Sequence, residues 1–248
     1  MAILECSKVS KRFGGLAAVS NVDLKVEAGD ILGLIGPNGA GKTTLFNMIS
    51  GAIPIKSGTI RFKGKLISGL KPHQICREGL ARTFQSAKIF GNMTVLTNVR
   101  LAALFGRTPG LPSSEADKVA ADCLEFTGLS AMKDVPAKDL GIVSQKRLEV
   151  ARALATRPEL LMLDEVMAGL NPSEIDEAMN MIRRVQARGI TIITIEHVMK
   201  AIMNVCNRII VLNHGVKVAE GTPQEIANNK TVIEIYLGEG GYAQDQPH

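Results

Sequence analysis

Gly36-Pro37-Asn38-Gly39-Ala40-Gly41-Lys42-Thr43-Thr44 fits the pattern G-x-x-x-x-G-K-[ST] in full. An apolar, strand-like run, Asp30-Ile31-Leu32-Gly33-Leu34-Ile35, precedes it, and a helix-like run, Leu45-Phe46-Asn47-Met48-Ile49, follows. A strand, a glycine-rich loop and a helix in that order make a phosphate cradle. The glycines let successive backbone N–H groups turn inward, and the helix N-terminus adds partial positive charge. On this reading residues 36–44 wrap the phosphates, Lys42 reaches the β- and γ-phosphates, and the Thr43 hydroxyl ligates Mg²⁺. The alternative is a glycine-rich turn that binds nothing, and the strand–loop–helix context argues against it.

The 248 residues, 46% hydrophobic and 21% charged, suffice for one large globular domain or two small ones. The net charge of +5 is scattered along the chain, which suits acidic ligands such as nucleotides or an anionic membrane surface and does not by itself indicate nucleic acid. Cys6, Cys76, Cys123 and Cys206 form no C-x-x-C pair and no zinc spacing with histidine, so they read as small hydrophobes in a reducing compartment. No apolar stretch approaches the roughly 18–20 residues that cross a bilayer, and Met1 to Lys8 lacks a leader layout. A role in transport therefore requires separate membrane subunits.

Outward from the loop, residues 19–27 alternate apolar Val22, Leu24 and Val26 with polar Asn21, Asp23, Lys25 and Glu27, which predicts a half-exposed strand. Gly58 to Lys63 alternates likewise and turns back at Gly64-Lys65. Leu160-Leu161-Met162-Leu163 and Ile190 to Ile195 are continuously apolar, as strands covered on both faces are. Between them Asn171, Pro172 and Glu174 mark a helix start, Ile175, Met179 and Ile182 recur on one face, and Gly189 ends it. Strand–helix–strand alternation implies an α/β core. Residues 86–140 read as a mostly helical subdomain inserted into that core, with a mobile loop at Gly106 to Ser114, and the chain beyond residue 238 as a fraying tail.

Leu163-Asp164-Glu165 ends an apolar strand in two acids. Asp164 there can hold Mg²⁺ directly or through water, and Glu165 can polarise an attacking water. Solvated charge at a strand end is the alternative, outweighed once the phosphate loop is present. His197, after the next apolar strand, can donate a hydrogen bond to a γ-phosphate oxygen, although a lone histidine there is more often a polar terminus. Phe13, before Gly14-Gly15, can stack on adenine or belong to the core, and Gln85 in Arg82-Thr83-Phe84-Gln85 is a weaker signal still.

Together these pieces resemble the ATP-binding-cassette (ABC) family over almost the whole chain. The resemblance implies an α/β phosphate-loop ATPase core, residues 1–85 and 141–238, with an antiparallel β subdomain and an inserted helical subdomain. It implies ATP and Mg²⁺ as ligands, with Thr43, Gln85 and Asp164 as metal ligands. Phe13 looks like the adenine-stacking aromatic, Gly36 to Thr44 the Walker A loop, and Gln85 the Q-loop glutamine. Leu163-Asp164-Glu165 looks like the Walker B end with its catalytic glutamate, Ala168-Gly169-Leu170-Asn171 the D-loop, and His197 the switch histidine. Leu212-Asn213-His214-Gly215 and Glu220-Gly221-Thr222-Pro223 are similar to the family's closing hairpin and turn. Residues 36–47, Ala81 to Gln85 and Ala168 to Pro172 are similar to the ATP-binding subunits of branched-chain amino-acid importers.

That subfamily implies two integral-membrane permease subunits, a second and different ATP-binding subunit, and a substrate-binding protein outside the membrane. It implies a peripheral place on the cytoplasmic face, and no nucleic acid. Related importers carry urea or short amides. A soluble cassette ATPase of translation or repair is a competing reading, disfavoured by a single phosphate loop and no heptad array. A GTPase fails because Asn229-Lys230-Thr231-Val232 lacks the final aspartate of a guanine reader. A catalytically dead binding module sits badly with retention of Lys42, Asp164, Glu165 and His197.

One departure stands out. The family signature reads Leu-Ser-Gly-Gly-Gln, and counting back from Ala151-Arg152-Ala153 this chain has Leu140-Gly141-Ile142-Val143-Ser144. The serine hydroxyl is lost and both glycines become β-branched, which adds bulk where backbone approaches phosphate. Family members pair head to tail, each ATP lying between one Walker A and the other signature. This chain is therefore expected to pair with a different subunit whose signature is intact; tolerance of variation at this motif is the alternative. Phe90, Met93 and Val95 either wall a groove that receives a membrane-subunit helix or belong to the subdomain core.

Overall fold

The computed structural model describes residues 2–85, 88–108 and 110–238. The start of the expected helical insertion, Ser86-Ala87, its Pro109, and the expected tail 239–248 lie outside the described residues. The chain divides into two compact units, residues 1–69 with 193–248, and residues 70–192.

In the first unit, β1 (Ala2–Phe13) and β2 (Leu16–Glu27) pair antiparallel, with Cys6 opposite Leu24 and Val9 opposite Val22. Val22, Leu24 and Val26 are buried while Asn21, Asp23 and Lys25 are exposed, the two-residue period of a one-sided strand. Every residue of β3 (Ile31–Ile35) is buried, and its chain runs on to α1 (Lys42–Ile49). The other edge of β1 takes β4 (Ser57–Phe62), which folds back into β5 (Lys65–Leu66), so that the strand order is β2-β1-β4-β5. The hairpin turn falls one residue earlier than expected. Lys63 (φ 51°) and Gly64 (φ 77°) are both left-handed, and Lys65 already pairs with Phe62.

The second unit begins with α2 (Pro72–Glu78) and β6 (Leu80–Arg82). Three mutually packed helices follow, α3 (Val95–Phe105), α4 (Ser113–Thr127) and α5 (Ile142–Ala155). Ser113 and Ser114 thus open α4 instead of lying in the break. Leu111 is buried and Arg107 pairs with Glu159 at 2.5 Å, anchoring that connection. Fully buried Asn98 closes the turn before α3: its amide donates to the Phe90 and Thr94 carbonyls, both at 3.0 Å, and accepts from the Phe90 N–H at 2.9 Å. Parallel to β6 runs the wholly buried β7 (Leu160–Asp164), Arg82 standing opposite Met162.

Next comes α6 (Pro172–Ala187), whose start is a complete capping box: Asn171 accepts from Glu174 N–H at 3.0 Å and Glu174 accepts from Asn171 N–H at 2.8 Å. Met179 and Ile182 are buried; Ile175 is only half-buried. Left-handed Gly189 (φ 83°) ends the helix as the sequence suggests. The chain leaves this unit inside β8 (Thr191–Ile195).

Back in the first unit lie α7 (Met199–Val205), β9 (Arg208–Asn213), β10 (Val216–Gly221), α8 (Pro223–Ala227) and α9 (Lys230–Gly238). β3 and β9 are parallel, Leu34 opposite Ile210, and β9 and β10 form the closing hairpin, Asn213 opposite Val216. A second capping box, Thr222 with Glu225, starts α8. The result is the α/β class expected, with a mostly parallel buried sheet and a separate antiparallel one.

All four cysteines are free, and burial pushes the Cys6 and Cys206 thiols up to about 12. Among the described residues no helix is long and apolar enough to cross a membrane. Substituting Asn171→Ala removes one half of the α6 capping box and is expected to cost about 1 kcal/mol in urea unfolding, against almost nothing for Ser173→Ala one turn position away.

Candidate functional site

The first unit holds the glycine-rich loop between β3 and α1. Gly36 (φ 147°) and Gly41 (φ 99°) are required by their surroundings. A Cβ would lie 2.1 Å from the Leu212 carbonyl oxygen at the former and 2.3 Å from that of Ala18 at the latter. Gly215 N–H donates to Ala40 O at 3.0 Å, tying the loop to the β9–β10 turn. Gly41 is the N-cap of α1 and no side chain caps that helix. Its first-turn N–H groups are those a phosphate would take.

Lys42 is buried, 6% exposed, and its ammonium donates to the carbonyls of Gly36 at 2.5 Å and Pro37 at 3.0 Å. Thr43 is exposed and Thr44 half-buried. Pro37, Asn38, Gly39 and Ala40 complete the loop, Asn38 and Gly39 at the exposed crest. Phe13, at the end of β1, is 50% exposed with the Lys11 ammonium 5.3 Å from its ring centre. A half-exposed ring fits the stacking expectation better than the core alternative. His197 is exposed just after β8.

The second unit holds the acids. Asp164, the last residue of β7, is 2% exposed, and its Oδ2 accepts from Arg82 Nη2 at 2.9 Å; Arg82 itself is 8% exposed. Burial pulls the Arg82 guanidinium below its ordinary range, and the Asp164 charge opposes that. Asp164 N–H donates to Thr83 Oγ1 at 3.0 Å. Glu165 is left-handed, φ 53°, an uncommon conformation for a residue with a long side chain. Its carboxylate accepts from Gln85 Nε2 at 2.8 Å. From α5, Lys146 donates to the carbonyls of Glu165 at 3.2 Å and Ala168 at 2.5 Å, bracing the turn that carries the acid.

So the structure brings Gln85 onto Glu165 and Lys42 onto its own loop. It adds two residues that sequence reasoning left unassigned, Arg82 and Lys146. For Arg82 a signal existed, because a charged residue at the end of buried β6 needs an anionic partner. Lys146 carries no such signal, since a lysine in the first turns of an amphipathic helix is ordinary.

The start of α5 has Gly141 at the N-cap (φ −65°, ψ 161°) with no side-chain cap. Ile142 is 70% exposed, and Gln145 folds back to donate to Leu140 O at 2.9 Å. Of the three apolar residues weighed as a groove wall, Phe90 and Met93 are exposed, at 48% and 41%, but Val95 is fully buried and belongs to the core. The Phe90 ring lies 5.1 Å from the Arg152 guanidinium.

The expected cation ligands are a hydroxyl, a carboxylate and an amide, all hard oxygen donors of the kind Mg²⁺ takes. Among the described residues no three His, Cys, Asp or Glu cluster as a metal cage. A cation held by one carboxylate would complete its shell with phosphate oxygens and water, the usual Mg²⁺ arrangement.

Comparisons with known proteins identify the family. The family described as ABC transporter matches residues 19–168, and that described as branched-chain amino acid ATP-binding cassette transporter matches residues 216–242. The high-affinity branched-chain amino acid transport ATP-binding protein BraF of Pseudomonas aeruginosa is 43% identical, over 96% of this chain and 98% of its own length. LivG of Escherichia coli, of the same description, is also 43% identical, over 96% and 98%. The lipopolysaccharide export system ATP-binding protein LptB of Haemophilus influenzae is 34% identical over 96% and 98%. A crystal structure of a nucleotide-free ATP-binding cassette from an ABC transporter superposes with a TM-score of 0.87 at 31% identity, covering 95% of this chain and 98% of that one. The ADP conformation of such a cassette gives 0.87 at 32%, covering 96% and 99%.

The loop geometry separates two glycines. Gly39→Ala meets nothing within 4 Å and carries only the left-handed strain, about 1–2 kcal/mol. Gly36→Ala must also displace the Leu212 carbonyl, so it is expected to lose clearly more in thermal unfolding; the reverse order would contradict the loop conformation.

Proposed function

Because the chain belongs to the ABC transporter family, as an ATP-binding and ATP-hydrolysing subunit, we propose that it powers uptake of branched-chain amino acids. The observation carrying the cargo is the 43% identity, across 96% of the chain, to two proteins described as serving that transport. In this reading residues 1–238 form one cassette domain with a helical subdomain over about 86–140. The subunit sits on the cytoplasmic face of the membrane against two permease subunits. A binding protein outside delivers the solute. Exposed Phe90 and Met93 are apolar surface available to a permease helix.

Each site residue takes a role consistent with its surroundings. Residues 36–44 wrap the triphosphate with N–H groups, and the Lys42 ammonium exchanges its loop carbonyls for phosphate oxygens, a charge-assisted bond stronger than the one it leaves. Phe13 stacks on the adenine. Bound Mg²⁺, with Thr43, Asp164 and Gln85 as its protein ligands, would supply charge neutralisation on the phosphate oxygens. Glu165 takes the proton of the attacking water, for which its bond to Gln85 must open, and His197 donates a hydrogen bond to a γ-phosphate oxygen. Loss of the γ-phosphate then removes the contacts that hold two cassettes closed.

The partner cassette is a different chain in this proposal. Gly141, Ile142 and Val143 offer a facing nucleotide no hydroxyl and two β-branched side chains, although the N–H groups of α5 persist. Loss of one charge-assisted hydrogen bond weakens such a contact by about 1.5–3 kcal/mol. The site built on this chain's Lys42 and Glu165 with an intact partner signature is the fast one; the site facing Gly141 to Ser144 is slow.

The relative in lipopolysaccharide export carries the same kind of cassette toward another cargo, so the cargo needs its own test. In proteoliposomes containing the permeases and both cassettes, leucine-loaded binding protein is expected to stimulate ATP hydrolysis and uptake. Urea- or acetamide-driven stimulation in its place would reassign the solute. In the same assembly Glu165→Gln is expected to lower steady-state hydrolysis by at least about 100-fold while ATP binding survives. Undiminished turnover would sink the asymmetric-site proposal.

A further inference from the structure

The two consecutive acids at the end of β7 are gripped by one short segment. Arg82 holds Asp164 at 2.9 Å, and Gln85, three residues on, holds Glu165 at 2.8 Å. Between them Thr83 Oγ1 takes the Asp164 N–H at 3.0 Å. The Arg82 guanidinium is itself fixed: its Nε donates to the Thr83 carbonyl at 3.2 Å and its face lies 4.7 Å from the Phe84 ring centre. Glu149 of α5 adds a second, more distant negative charge around it. The turn bearing the acids has an independent brace, Lys146 on the Glu165 and Ala168 carbonyls. Arg82 also stands in the β6–β7 ladder opposite Met162, and Thr83 N–H donates to Met162 O at 2.9 Å, so the backbone of this segment is joined to the strand that carries the acids and what can let go is the Arg82 and Gln85 side chains.

We propose that residues 82–85 form a clamp on Asp164 and Glu165, in which Arg82 is a positioning residue: a resident counter-cation that holds down the affinity of Asp164 for a divalent cation until its guanidinium swings away. The inference rests on Asp164 being the metal acid of the proposed function. A guanidinium in direct contact with a buried carboxylate cancels most of the negative charge that a cation would feel there. Cation affinity at carboxylate sites follows that charge. Gln85 is neutral and adds nothing to that balance, but it occupies the carboxylate of Glu165. Release of Asp164 by the Arg82 side chain would thus raise metal affinity, and release of Glu165 by Gln85 would free the base.

The test uses the purified full chain, with Mn²⁺ as probe. The quantity read is the factor by which Mn²⁺ tightens ADP binding, from calorimetry with Mn²⁺ and with EDTA. Arg82→Met is expected to raise that factor about tenfold or more, with ADP affinity in EDTA unchanged. Arg82→Lys, which keeps the charge, is expected to stay within about threefold of the unaltered protein. Asp164→Asn is expected to lower the factor. If Asp164→Asn leaves it unchanged, the metal role of Asp164 fails and the proposal falls with it. If Asp164→Asn lowers it but Arg82→Met does not raise it, the counter-cation alone is wrong.

Removing one partner of a buried pair can unfold a protein, so a second measurement uses the unaltered chain. The Arg82 guanidinium ¹⁵N resonances, assigned by their loss in Arg82→Lys, are expected to be resolved in EDTA and to shift or broaden with Mg²⁺ and ADP. Unchanged resonances would overturn the exchange.

Discussion

The Lys42 ammonium, buried and donating to the carbonyls of Gly36 and Pro37, is the contact on which the rest depends. The two carbonyl dipoles help to solvate the buried positive charge. In the proposed function a polyphosphate would take that ammonium together with the first-turn N–H groups of α1, which no side chain caps. The loop can take this shape only because Gly36 and Gly41 bring backbone to within a Cβ's reach of the Leu212 and Ala18 carbonyls. β9 and β2 are thus walls of the cradle as much as members of their sheets. The loop is positioned by this packing, so a ligand bound there would have little ordering entropy to offset.

The second unit, taken by itself, holds two acids in place through hydrogen-bond donors. Asp164 and Glu165 are fixed by Arg82, Gln85 and Lys146, all of them donors. Each bond is favourable at rest, and those of Arg82 and Gln85 must weaken or open for the chemistry proposed here. In the proposed clamp the Gln85 amide keeps the Glu165 carboxylate occupied until that side chain lets go. Left-handed Glu165 belongs to the same logic: strain of that kind survives only where several contacts over-determine it.

The elements most legible in the sequence were those with local causes. Alternation in β2, the capping box and terminal glycine of α6, and the strand–loop–helix around Lys42 all follow from residues within a few positions of one another. The hairpin turn was misjudged by one residue because Lys63, a residue with no preference for left-handed backbone, adopts it to match the twist of β4 and β5. Val95 and Phe90 look alike as apolar letters five residues apart, yet one is fully buried and the other half-exposed. The difference is made by Asn98, whose side chain folds the intervening turn against α3. Arg82 with Asp164 is separated by 82 positions, and Lys146 with Glu165 by 19, so neither pairing has a local signature. What the sequence conceals is long-range pairing of polar groups, since it depends on how strands and helices are laid side by side.

The start of α5 gives the proposed asymmetry its physical footing. A helix N-terminus with a serine in the cap region offers a facing phosphate a hydroxyl as well as N–H groups, and flanking glycines let the two backbones close in. Here the cap is Gly141 and the next residue is an isoleucine left 70% exposed. Exposed isoleucine at a helix end does nothing for the stability of this chain, because its apolar surface stays in water. The helix macrodipole remains, so an anion is still attracted, but branched carbon now stands where backbone would have approached. Attraction without close approach suits holding a nucleotide more than aligning it for attack, where misplacement by an ångström is costly. In the proposed assembly a chain with these acids and a blunted helix end is completed by a companion whose own helix end would close on a phosphate held at Lys42.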